Sequence, residues 1–163
     1  MAVVVSDTTP LHYLILLGQE TILEKLYGKV FIPPAVLTEM SHGSAPVQIS
    51  RWAADPPAWL SVVTPRSIPA QYVGLDFGER QALALAKELH ADLILLDDKV
   101  ARRVAQREMM RVMGTLGIIA DAAKVKLLDF AESVDKLQHT GMYLDQDVVD
   151  EVKREYNRWL QKE

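Results

Sequence analysis

Cysteine is missing from all 163 residues. That excludes disulfides, thiolate metal sites and a cysteine nucleophile together, and it fits a cytoplasmic location, where thiols are kept reduced. Long apolar runs are missing too. The stretch Leu11–Leu17 is interrupted by His12 and is too short to cross a bilayer. The opening residues Met1–Asp7 carry no basic segment and meet a carboxylate early, so no signal peptide is expected. The four histidines, His12, His42, His90 and His139, show no metal-ligand spacing, and no HExxH, Walker A or GxSxG pattern is present. A phosphatase using an aspartyl nucleophile would need a second aspartate two residues after Asp7, where Thr9 stands.

What remains is ordinary globular material, with 49% apolar and 25% charged residues. No repeat or linker divides the chain, so a single domain over residues 1–163 is expected, with C-terminal helices packing on it or extending from it. The net charge of −4 argues against a protein that coats itself with nucleic acid, but it is compatible with an enzyme built around a carboxylate cluster.

Strand-like and helix-like segments alternate. Short β-branched or apolar runs at 2–6, 29–32, 59–63, 93–96 and 111–113 read as strands. Thr8-Thr9-Pro10 supplies a hydroxyl cap and a first-turn proline for a helix running to about Tyr27, broken near Gly18. Further helices are expected at 35–40, 47–54, 80–90, 99–108, 116–124, 129–138 and 145–161, with 64–75 as the main loop. Strands separated by helices pair in parallel, which predicts a three-layer α/β/α sandwich with a central parallel sheet. Functional groups in such sheets gather just past the carboxyl ends of strands. Asp7, the Asp97-Asp98 pair and Thr115 all occupy such positions, and they are expected to share one crevice.

Each acid has a structural reading beside its functional one. Asp7 suits a turn or helix cap, although Thr8 and Thr9 could cap instead. Of Asp97 and Asp98, one could cap a helix while the other stays solvated; burying either needs a cation or hydrogen-bond donors. Asp76-x-x-Glu79 has capping-box spacing. Glu39 alone reads as a solvated helix residue. Oxygen-only ligands of this kind suit Mg²⁺ or Mn²⁺ rather than zinc. Lys99, Arg103, Arg107 and Arg111 recur every four residues, with Arg102 beside them, and residues 98–111 carry a local balance of +3. This is either a solvated face or a phosphate contact. Val148, Val149, Val152, Tyr156 and Trp159 form an apolar stripe that packs on the core or serves a dimer or partner surface.

Five ordered segments carry a family resemblance: Val4–Leu11, Ile32–Val36 with Glu39, Gly78–Ala86, Leu93–Asp98 with Ala101-Arg102, and Gly114–Gly117. On these the chain resembles PIN-domain proteins, specifically the DUF3368 subgroup, and is similar to VapC-type toxin ribonucleases. The resemblance implies a Rossmann-like sandwich and a Mg²⁺- or Mn²⁺-dependent endoribonuclease, with RNA as substrate, a small antitoxin protein as a possible partner and a homodimer as the expected assembly. Its acids fall on Asp7, Glu39, Glu79 and either Asp97 or Asp98. Asp7, Asp97 and Asp98 are the expected metal ligands. Thr8, Arg102, Arg103 and Thr115 are the expected substrate contacts. Gln81 stands where related chains often carry a second acid, and no acid stands near Thr115. The alternative is therefore a PIN-like module that binds RNA or protein without cutting.

Overall fold

The alternation of strand and helix is realised as a five-stranded, wholly parallel sheet in the order β3-β2-β1-β4-β5. The computed structural model describes residues 2–163. The strands are β1 (Val4–Ser6), β2 (Val30–Ile32), β3 (Leu60–Val62), β4 (Leu93–Leu95) and β5 (Val112–Met113). Among the described residues the helices are α1 (Thr8–Leu16), α2 (Ile22–Tyr27), α3 (Pro34–Ser41), α4 (Val47–Ala54), α5 (Phe77–Glu88), α6 (Lys99–Arg107), α7 (Thr115–Lys124), α8 (Phe130–Gln138) and α9 (Gln146–Lys162). The break expected near Gly18 is there: Gly18 has φ +69° and separates α1 from α2.

Side-chain alternation along the strands divides the core into two layers. Val4, Val30, Ile32, Leu60, Leu93 and Leu95 join the cluster that also takes in buried residues of α1–α4 and α7–α9. Val5, Ile94 and Leu96 point the other way, into the cluster formed with α5, α6 and the buried Tyr72 and Leu75. Strands apolar on both faces are what a parallel sheet covered by helices requires. The long loop before α5 is held by two side-chain bonds. Tyr72 donates its hydroxyl to Glu108 at 2.5 Å, and Glu88 accepts the Arg66 backbone N–H at 2.8 Å.

The strand order reverses its direction of growth at β1. From β1 the chain adds β2 and β3 on one side, then crosses over to add β4 and β5 on the other. The register pairs Ser6 with Leu95, so β1 and β4 end almost level. Their helices leave from neighbouring points, and this switch point is where an open α/β sheet leaves a crevice. Leu95 is fully buried in β4, two residues before the Asp97-Asp98 pair. Leu95→Ala should lower stability by about 2–5 kcal/mol through lost burial and an unfilled cavity, measurable as a lower denaturant midpoint with an unchanged slope.

Candidate active site

Asp7 follows β1 and ties itself to the adjacent strand by donating its backbone N–H to the Leu95 carbonyl at 2.9 Å. Its side chain is only 5% exposed, and its Oδ1 has no hydrogen-bond partner. Burial is the main cause that pushes the Asp7 carboxyl up to about pKa 8. The charges of Asp76, Glu79 and Glu39 push the same way, and only the Thr8 backbone opposes them. Asp7 occupies the cap position of α1 but makes no side-chain cap bond. The hydroxyl cap expected from Thr8 does not form either. Thr8 is already helical, and its hydroxyl donates to Glu39 Oε2 at 2.5 Å. An acid on a separate helix outcompetes the local backbone for that donor.

Glu79 is buried in the first turn of α5. It completes the capping box: its backbone N–H donates to Asp76 Oδ1 at 2.7 Å, and its Oε1 accepts the Asp76 N–H at 3.0 Å. Burial, then the neighbouring charges of Asp76 and Asp98, raise the Glu79 carboxyl to about pKa 7. Capping and membership of the acidic crevice are thus compatible for this residue. Asp76, legible in the sequence only as a cap, belongs to the same electrostatic group. Its position three residues before Glu79 put its carboxylate on the crevice side of the helix start. Glu39 is exposed on α3 and lies against the backbone of Gly78, where a Cβ would overlap its carboxylate. Gln81, in the place of an acid, accepts the Ala35 N–H at 3.1 Å and so ties α5 to the start of α3.

The two aspartates after β4 divide their work. Asp98 caps α6, its Oδ1 accepting from the Ala101 N–H at 2.9 Å, and it remains exposed at the crevice. Asp97 turns the other way. Its Oδ1 accepts the Thr115 N–H at 2.9 Å and its Oδ2 accepts the Thr115 hydroxyl at 2.6 Å. The expectation of one cap and one solvated neighbour holds for the cap only: Asp97 is half-buried and bonded to Thr115, and burial raises its pKa despite Thr115 and the nearby Arg102 guanidinium. Gly114 sits where an added Cβ would lie 2.8 Å from both Arg102 Nη1 and Asp97 Oδ1. Asp97 and Thr115 therefore form a clamp joining the end of β4 to the start of α7, with the Arg102 guanidinium nearby. Thr115 is fully buried. Arg102 is half-buried, whereas Lys99 and Arg103 are exposed.

Asp7 thus feels the charges of Asp76, Glu79 and Glu39, and Glu79 those of Asp76 and Asp98, while Asp97 is satisfied separately. Among the described residues, no three histidine, aspartate or glutamate side chains stand in a ligating arrangement. Glu39, Glu79 and Asp98 each point at a donor of the protein itself. The unpartnered Asp7 oxygen and the all-carboxylate donor set nevertheless fit a hard divalent cation, since its charge would relieve both the burial and the repulsion.

A carboxyl whose folded pKa is raised holds its proton to higher pH when folded than when unfolded. Stability of the metal-free protein should therefore fall as pH rises from about 4 to about 8, the window set by Asp7. Asp7→Asn should flatten that slope and raise stability by about 1–3 kcal/mol at the alkaline end, where wild type must bury an unsatisfied anion. Urea titrations across the pH range in a chelator measure both effects. A slope unchanged by the substitution would mean that Asp7 is not the group responsible.

The family model for DUF3368, a PIN domain, matches residues 3–158. Among solved structures the chain is similar to a PilT N-terminus domain protein, SSO1118, from the hyperthermophilic archaeon Sulfolobus solfataricus P2. The TM-score is 0.52 at 15% identity, over 89% of this chain and 98% of that one. At that identity the likeness shows the fold. No curated protein matches the chain.

Proposed function

From the premise that this chain belongs to the DUF3368 family of PIN domains, we propose that it is a metal-dependent endoribonuclease. The observation that carries the reading is the buried, partnerless Asp7 oxygen beside the carboxylates of Glu39, Asp76 and Glu79, with Asp98 acting on Glu79, at the switch point of the sheet. Such a group is expensive to maintain for stability alone, and perturbed acids in a crevice are what hydrolytic sites use.

Asp7, Glu39 and Asp98 would hold Mg²⁺ or Mn²⁺. When bound, the ion would supply Lewis-acid neutralisation of the phosphodiester and ease the loss of a proton from water. The other roles belong to the chain's own groups. Glu79, with its carboxyl raised to about pKa 7, is matched to accept a proton from an attacking water near neutral pH. Thr8 orients Glu39 through its hydroxyl. Asp97 and Thr115 fix the end of β4, and with it the position of Asp98. Lys99 and Arg103, exposed on α6, are available to the RNA backbone as sequence-independent phosphate contacts. The toxin role of VapC-like relatives, with a small antitoxin as partner and a homodimer as the assembly, is part of the same proposal and rests on the resemblance alone.

A second reading is a binding module that cuts nothing. Its support is that the acids, as they stand, are engaged with internal donors rather than turned to a common point. Calorimetric titration with Mn²⁺ separates the two readings: wild type should bind the ion and Asp7→Asn should bind it at least about tenfold more weakly, a loss of about 1.4 kcal/mol. Absence of binding at millimolar metal would favour the module.

Cleavage of a labelled RNA with Mn²⁺ should fall at least about a hundredfold in Asp7→Asn and in Asp98→Asn, the range over which a group acting on the transition state is felt. Both variants should keep the native circular dichroism spectrum. Wild-type rates in both would end the nuclease assignment. Gly78→Ala should also fold, because its new methyl meets only the flexible end of Glu39. It should nevertheless lose activity, because the Glu39 carboxylate is pushed from its place.

A further inference from the structure

A groove of about 880 Å³ opens beside the acids on the β5 side of the sheet. Asp97, Asp98, Lys99, Arg102 and Asp145 are its charged lining. Tyr13, Met113, Met142, Tyr143 and Leu144 give it apolar and aromatic walls, and Val148 of α9 lies along it. The volume is within the range of small-molecule sites, roughly 300–1,000 Å³.

Two features of the groove point to its occupant. The first is Tyr143, which stands at the rim 85% exposed. A large ring left in water beside an apolar wall offers a free face for stacking. The second is the make-up of the lining, which sets the carboxylates and cations of Asp97, Asp98, Asp145, Lys99 and Arg102 together with aromatic and thioether groups. Lys99 is held by Asp145 at 3.0 Å, with the Lys99 side chain 64% exposed. An exposed pair of this kind is worth only about 0–1 kcal/mol and can open to a phosphate. A nucleotide offers a partner to both kinds of group, its phosphate to Lys99 and its base to Tyr143.

We propose that this groove is a nucleotide subsite: it seats one unpaired base of an RNA strand, stacked on Tyr143, next to the phosphate presented to the acids. This extends the nuclease reading above and rests on it for the identity of the strand. A base held in a concave pocket must be unstacked from its neighbours and unpaired, so the substrate class is single-stranded RNA or a loop rather than duplex.

The test is fluorescence anisotropy with a labelled eight-nucleotide single-stranded RNA and Mg²⁺, using the full chain with Asp7→Asn so that the strand stays intact. On that background, Tyr143→Ala should weaken binding about fivefold or more, the loss expected from one base–aromatic stack, and Tyr143→Phe should restore it. Val148→Trp fills the groove without removing any group and should weaken binding similarly. The same RNA annealed to its complement should bind more weakly and be indifferent to Tyr143→Ala.

The inference is overturned if the host binds no single-stranded RNA, if Tyr143→Ala and Val148→Trp bind as the host does, or if duplex binds equally well with the same dependence on Tyr143. RNA binding that ignores the groove would leave it to another kind of partner, such as a protein segment. Cleavage by the unsubstituted chain is scored separately on gels. Groove-dependent binding without cleavage would retain the subsite and remove only the nuclease reading.

Discussion

The burial of Asp7 is the constraint around which the site is arranged. A carboxylate withdrawn from water with one oxygen unpartnered opposes folding unless something compensates it. The fold compensates little. It brings Glu39, Asp76 and Glu79 close enough to raise the Asp7 pKa further. Every other element of the crevice can be understood from this excess of negative charge. The acids that could flee into solvent are restrained: Thr8 holds Glu39, the capping box holds Glu79, and the helix start of α6 holds Asp98. Local hydrogen bonds that also serve helix stability thus keep like charges near one another at no separate structural expense. A divalent cation is the simplest species that removes the conflict.

The crevice exists because of where the sheet changes direction. Crossovers to either side of β1 leave the ends of β1 and β4 uncovered between their departing helices. The Asp7 N–H bonded to the Leu95 carbonyl sets the level of the first acid against β4. The clamp of Asp97 on Thr115, with Arg102 alongside, sets the level of β4 against α7. Gly114 is required there because a methyl group would press on both charged partners. Together these contacts make the crevice floor rigid while its acidic rim remains side-chain-borne. Asp97 and Asp98 also line the groove that continues toward α9, so the carboxylates and the apolar region share one surface.

The family match over residues 3–158 agrees with what the strands alone imply. Buried runs such as Leu93–Leu96, apolar at every position, demand helices on both faces, and the two core clusters supply them. The helix break at Gly18, the capping box at Asp76 and Glu79, and the strand near Leu60 were legible because each depends on neighbouring residues only. The stripe on α9 was legible as well, but its depth was not. Val149 is buried while Val148 is 41% exposed on the groove, a distinction set by the elements packed against α9 rather than by helical period.

By itself the sequence determined the alternation of elements, the parallel sheet and the positions of Asp7 and the Asp97-Asp98 pair at strand ends, since period, propensity and chain direction are local properties. Only the tertiary structure decided which acid does what. Adjacent residues leaving a strand point in different directions, so Asp97 finds Thr115 eighteen positions away while Asp98 caps its own helix. Thr8 was drawn from capping to Glu39 for a similar reason. Competition among donors and acceptors distant along the chain is resolved by distance in space, and that quantity is not written in residue order.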